Sequence, residues 1–185
     1  MTNNMLPELY DCCKATLKVT SKDPKNSDYI SNSMLEVYNF DDVRDVYYDA
    51  HQLRPVKEEM NACDAFYVDQ QQNNEKYLIE FKNSPLSTSN IDHTEIKEKI
   101  LGSLLILTDI SQMGISETRK DTSFILVYSS AKDRRKYARK SHAIEIPKKL
   151  NFKKYEGIYY KQCLIFGNDE FQRRFVDKWE SGDVV

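Results

Sequence analysis

The sequence predicts an α/β (α+β) fold built on a mixed β-sheet flanked by helices, and three observations carry that prediction. Thr122 to Tyr128 is an unbroken apolar run of the kind found inside a sheet covered on both faces. Ala62 to Val68 and Lys76 to Lys82 are short β-rich runs joined by Asp69 to Glu75, a segment with no apolar residue, which reads as an antiparallel hairpin. Between His93 and Ile110, Ile96, Ile100, Leu104 and Leu107 recur at helical spacing. With 185 residues, 40% of them apolar and 30% charged, the chain can bury one full core and not two, so residues 1–185 read as a single domain.

In chain order, Leu6, Leu9, Tyr10, Cys13, Leu17 and Val19 lie close to one helical face and predict a first amphipathic helix, with Pro7 tolerated in its first turn. Thr20 to Ser33 is polar and reads as an exposed connection. Leu35 to Phe40 predicts a strand, and Asp41-Asp42 opens a helical pattern through Val43, Val46, Tyr47, Ala50 and Leu53. In the hairpin, Asn73-Asn74 suits a turn because asparagine tolerates the left-handed conformation. Pro85 stops the second strand, and Asp92 with Glu95 has the spacing of a capping box for the long helix that follows. After the apolar Thr122 strand, Ile158 to Phe166 predicts a further strand, and Asp169 to Trp179 a closing amphipathic helix.

Several function classes drop out. The apolar run Ile100 to Ile110 is interrupted by Gly102, Ser103, Thr108 and Asp109 and falls short of the ~20 residues a membrane helix needs. The N-terminus lacks a signal-peptide pattern, so the expected location is the cytoplasm. The four cysteines, Cys12, Cys13, Cys63 and Cys163, form neither a disulfide framework nor a Cys-x-x-Cys metal pattern. His51, His93 and His142 lack metal-ligand spacing, and neither a nucleophile elbow nor a Gly-rich phosphate loop occurs. The formal net charge of −2 supplies no global attraction to nucleic acid, so any such contact is local.

A local source exists. Lys132, Arg134, Arg135, Lys136, Arg139, Lys140, Lys148, Lys149, Lys153 and Lys154 are answered only by Asp133 and Glu145. Phosphate contacts are the natural use of such a segment, with Tyr137 and His142 available to a nucleotide; a solvated helix that aids solubility is the bland alternative.

The chemistry concentrates on the second hairpin strand. Strand alternation puts Glu80 and Lys82 on one side with Leu78, and Ile79 and Phe81 on the other. Asp64 begins the partner strand at a spacing that brings it alongside Glu80. Hydrolysis of a phosphodiester needs a divalent cation, and Mg²⁺ takes a few hard oxygen ligands with water or substrate in the rest. Asp64, Glu80 and the Phe81 carbonyl would supply those oxygens, and Lys82 would orient water or stabilise the charged transition state. Lys97 and Ser103 on the following helix are secondary candidates to line the same cleft.

Cys-Asp-Ala-Phe-Tyr-Val followed by Tyr-Leu-Ile-Glu-Phe-Lys-Asn resembles the PD-(D/E)xK nuclease superfamily, with Asp64 as first acid, Glu80-Phe81-Lys82 as E-x-K, and Cys63 where the family has proline. The resemblance spans the hairpin, the helix and the Thr122 strand, roughly a third of the chain. It implies a restriction-endonuclease-like core, Mg²⁺ or Mn²⁺ as cofactor, and DNA, or less favourably RNA, as substrate. It also suggests an acid in the first helix, for which Glu8 is the candidate and Glu36 the competitor. Arg134, Arg135, Lys136, Arg139 and Lys140 would then be the nucleic-acid contacts. The competing expectation is a catalytically silent protein that keeps the fold as an interaction module. Nothing in the sequence sets the oligomeric state, and a dimer stays open.

Overall fold

The computed structural model describes residues 6–23, 25, 27–55, 58–84, 93–130 and 151–182. Six strands form one mixed sheet in the order of the chain: β1 (Lys14–Thr16), β2 (Glu36–Asn39), β3 (Ala65–Asp69), β4 (Glu75–Lys82), β5 (Thr122–Tyr128) and β6 (Gln162–Gly167). The β1–β2, β2–β3 and β3–β4 pairs are antiparallel, whereas the β4–β5 and β5–β6 pairs are parallel. The change of direction at β4 is enforced by the connections. A short turn, with Asn73 and Asn74 at φ of 50° and 60°, lets β4 reverse onto β3. Return to a parallel β5 requires a crossover, supplied by α3 (His93–Ile110) and α4 (Ile115–Asp121).

Every residue of β5 is buried, as its apolar run predicts for a strand with a neighbour on each side. Its side chains alternate between two cores. Phe124, Leu126 and Tyr128 join Phe66 and Leu78 under Ile96, Ile100, Leu104 and Leu107 of α3. Ile125 and Val127 join Ala65, Ile79 and Phe81 on the other face. That second face is closed by a C-terminal helical run made of α5 (Asn168–Phe171), a π turn (Gln172–Val176) and α6 (Asp177–Ser181). Phe171, Phe175 and Trp179 from this run stack around Tyr77 and Phe81, with Trp179 5.0 Å from Tyr77 and Phe171 6.0 Å from Phe81 between ring centroids.

The N-terminal helix expected over Leu6 to Val19 is not what forms. A 3-10 turn (Glu8–Cys13) leads into β1, and only α1 (Leu17–Thr20) follows, with the Thr16 hydroxyl accepting from the Val19 N–H at its cap. Lys14, Ala15 and Thr16 pair with Tyr38, Val37 and Glu36, so an open strand edge took the segment that periodicity alone assigned to a helix. The helix after β2 forms as α2 (Phe40–Ala50), with Asp41 and Asp42 in its first turn. Asp92, the expected cap of α3, lies outside the described residues.

α3 sits unusually close to the segment leading into β3. A Cβ at Gly102 would stand 2.3 Å from the Asn61 carbonyl oxygen, so only glycine permits this approach. One residue on, the Ser103 hydroxyl accepts a 2.8 Å hydrogen bond from the Cys63 N–H. Ser103 is fully buried, so its duty is to fix the backbone beside Asp64 rather than to line a cleft. Among the described residues no helix is long and apolar enough to cross a membrane.

Candidate active site

Asp64 stands immediately before β3, and continuing the Ala65–Ile79 register by one residue places it opposite Glu80. Its N–H donates to the Ile79 carbonyl at 3.1 Å, and its carboxylate Oδ2 accepts from the Phe81 N–H at 2.6 Å. The next carbonyl along β4, that of Lys82, accepts from Ser129 N–H on the β5 side. Backbone groups alternate in direction along a strand, so the Phe81 carbonyl turns towards the β3 edge, the side on which Asp64 lies.

Glu80 and Lys82 project with Leu78 towards α3. The Glu80 side chain has no solvent exposure, whereas those of Asp64 and Lys82 are each 19% exposed, so the cluster opens to solvent through Asp64 and Lys82. Lys82 Nζ lies 2.9 Å from Glu80 Oε1 and donates at 2.8 Å to Glu95 Oε1 on α3. The Lys82 ammonium is thus the ion-pair partner of the buried Glu80 Oε1. Glu80 Oε2 is taken by a residue that the sequence pattern did not single out. Lys99, on α3, places Nζ 2.9 Å from Glu80 Oε2 and 3.2 Å from Asp64 Oδ1, so one ammonium bridges both carboxylates.

The protonation pattern follows from this crowding. Full burial, reinforced by the Asp64 charge, pushes the Glu80 carboxyl up to about 8 against the pull of Lys99 and Lys82. Burial disfavours the Lys99 ammonium, yet Glu80 and Asp64 outweigh it and hold its pKa well above the ordinary lysine value. Lys82 behaves likewise, raised by Glu80 and Glu95 in spite of burial. A further carboxylate senses the cluster: Asp41, in the first turn of α2, is raised chiefly by burial, with Lys99 lowering it and Asp64 raising it. Arg44 holds Asp41 Oδ1 at 2.9 Å.

Asp64, Glu80 and Lys82 are thus brought together. Glu8 sits exposed on the 3-10 turn and Glu36 exposed on β2, and among the described residues no hydrogen bond or ion pair links either to Asp64 or Glu80. The acid from the N-terminal part of the chain that stands near the cluster is Asp41. Arg134, Arg135, Lys136, Arg139 and Lys140 lie outside the described residues, as do Tyr137 and His142. Of the basic residues that follow, Lys153 pairs with Glu156 at 2.8 Å and Lys154 stands over the Tyr155 ring at 4.9 Å. Lys99 had a signal in the sequence: it falls three residues after Ile96 and four before Ser103, a lysine inside the apolar stripe of a helix, where an unpaired charge does not stay. Among the described residues no three His, Cys, Asp or Glu side chains group as a metal site. Comparison with protein-family models, with curated proteins and with solved structures gives no match.

Proposed function

We propose that the chain is a nuclease of the PD-(D/E)xK kind, with a restriction-endonuclease-like core, that hydrolyses phosphodiester bonds of DNA using Mg²⁺ or Mn²⁺. The observation that carries this reading is that Asp64 and Glu80 converge on a single cation, the Lys99 ammonium, beside Lys82 at the polar end of β4. The donors fit a hard divalent ion: two carboxylates and the Phe81 carbonyl are oxygen ligands, and Mg²⁺ completes its shell with water and substrate rather than with a full protein cage. When bound, such an ion polarises a phosphoryl oxygen and makes water a nucleophile near neutral pH.

The chain's own residues have separable duties. Asp64 is oriented by the Phe81 N–H, so its other oxygen is left to face the cation. Glu80 supplies an oxygen from a buried position, where charge interactions are stronger than in water. Lys82, tethered by Glu95 and partly open to solvent, positions water or stabilises charge gathering on the phosphate. The basic segment with Arg134, Arg135, Lys136, Arg139 and Lys140 would hold the nucleic-acid backbone.

A second reading, a silent nuclease fold that serves as a binding module, draws support from the same ammonium, because Lys99 already neutralises the carboxylate pair. Cleavage of linear, nicked and single-stranded DNA and of RNA, with Mg²⁺, with Mn²⁺ and with chelator, separates the two. The nuclease reading requires metal-dependent cleavage by the wild type that is lost in Glu80→Gln and in Lys82→Ala, both folded. Wild type inert on every substrate with either metal selects the binding module.

A further inference from the structure

Lys99 occupies the centre of the proposed metal site. Its Nζ touches the same oxygens, Asp64 Oδ1 and Glu80 Oε2, that a divalent ion would use, and its side chain is only 12% exposed. An ammonium and a divalent cation cannot share those oxygens, since at such separations like charges repel strongly in a site of low effective dielectric. The lysine is also not there by chance of a mobile loop. Its helix is locked against the Asp64 segment by the Gly102 approach to Asn61 and by the Ser103–Cys63 hydrogen bond.

We propose that Lys99 is a tethered counter-cation that holds Asp64 and Glu80 together in the metal-free protein and withdraws when a divalent ion enters. The inference rests on the metal-dependent reading of the site. Lys99 is a positioning residue in this scheme: it keeps two crowded carboxylates folded and preorganised, and it sets a threshold that the metal must overcome. A place for the withdrawn ammonium is already present. Glu95, one turn back on α3 and 39% exposed, already holds Lys82 through Oε1 and has that oxygen 3.9 Å from Lys99 Nζ, so a short swing towards solvent brings Lys99 onto a carboxylate shared with Lys82. Glu80 Oε1 is held separately, 2.9 Å from Lys82 Nζ, so the exchange at Oε2 leaves that second contact in place.

The test measures Mn²⁺ binding by calorimetry for wild type, Lys99→Gln and Asp64→Asn, with Lys99→Arg as the variant that keeps the charge. If the lysine-held form dominates nine to one, its removal tightens apparent affinity about tenfold. Lys99→Gln is therefore expected to bind about tenfold more tightly than wild type, Lys99→Arg no more tightly, and Asp64→Asn not at all. In parallel, Lys99 of the wild type is labelled with an amine-reactive reagent and read by mass spectrometry. Protection without metal and labelling at saturating Mn²⁺ supports the proposal, and this arm decides the matter should Lys99→Gln fail to fold. Equal Mn²⁺ affinity in wild type and Lys99→Gln, or labelling unchanged while Mn²⁺ is bound, overturns the tethered cation and leaves the nuclease reading standing. Tighter binding by Lys99→Gln in a protein that cleaves no substrate upholds the tethered cation and sinks the nuclease. No Mn²⁺ binding by either protein removes both.

Discussion

Glu80 is the residue on which burial and charge compete most directly. Its carboxyl is pushed from 4.5 up to about 8 by complete burial and by Asp64, with Lys99 and Lys82 opposing. A raised carboxyl means that the folded state binds the proton more tightly, so folding takes up a proton between those two values. The resulting contribution to stability is fully present below 4.5 and is lost as pH rises through about 8. Lys99, also raised, acts with the same sign at still higher pH. Urea unfolding of metal-free protein at about pH 5 and about pH 8 checks this: Glu80→Gln should lose less stability across that interval than wild type does, and parallel losses would mean that Glu80 titrates as an ordinary carboxyl. Glu156 has the opposite sign. The Cys163 N–H and Lys153 hold it below the usual 4.5, so what it contributes is present above that value and disappears as pH falls through the lowered pKa.

At the scale of elements, β4 divides its labour between two faces. Phe81 is buried against Phe171 on the face away from the site, and Glu80 and Lys82 occupy the other. Phe81→Ala should cost about 3 to 5 kcal/mol, the usual range for deleting a buried phenyl ring, and lower the melting temperature by many degrees. Glu80→Gln should leave the melting temperature far closer to wild type. If the two variants melt alike, Glu80 is a structural ion-pair partner and not a site residue. α3 is held to the Asp64 segment by packing that tolerates little change. Gly102→Ala forces a methyl against the Asn61 carbonyl, and overpacking of this kind costs about 1 to 3 kcal/mol. Ser103→Ala leaves the buried Cys63 N–H without an acceptor, at about 1 to 3 kcal/mol. Thermal melts of both variants, read beside Mn²⁺ affinity, would show whether loosening α3 also loosens the grip of Lys99.

For the whole molecule, the sheet is sealed by α3 on one face and by the C-terminal helical run on the other, and the candidate site lies on the α3 face at the end of β4. With a formal net charge of −2, attraction of a polyanion must come from a local source, and the stretch with Arg134, Arg135 and Lys136 is the richest one in the chain. Charge reversal of these three should weaken DNA binding to a similar degree for all sequences and lower the salt slope by about one for each phosphate no longer neutralised. Fluorescence anisotropy over a series of salt concentrations measures both quantities; unchanged binding would assign the segment to solubility.

The local chemistry of the chain determined a good part of this arrangement. Alternation on β4 separates Glu80 and Lys82 from Ile79 and Phe81, the apolar run Thr122 to Tyr128 becomes a buried strand, and the spacing of Ile96, Ile100, Leu104 and Leu107 becomes α3. These are near-neighbour patterns, in which period and burial are written into a few consecutive residues. Tertiary structure alone decided the rest. Lys14 to Thr16 became a strand because β2 offered an unpaired edge, a fact no helical periodicity contains. Asp41 came to stand near Asp64 because α2 starts beside β3, as the Phe40 N–H donating to the Asp64 carbonyl records. Lys99 became the bridge between Asp64 and Glu80 because glycine at 102 lets its helix press against the segment that leads into β3, and charge pairing then depends on distances that sequence separation does not fix.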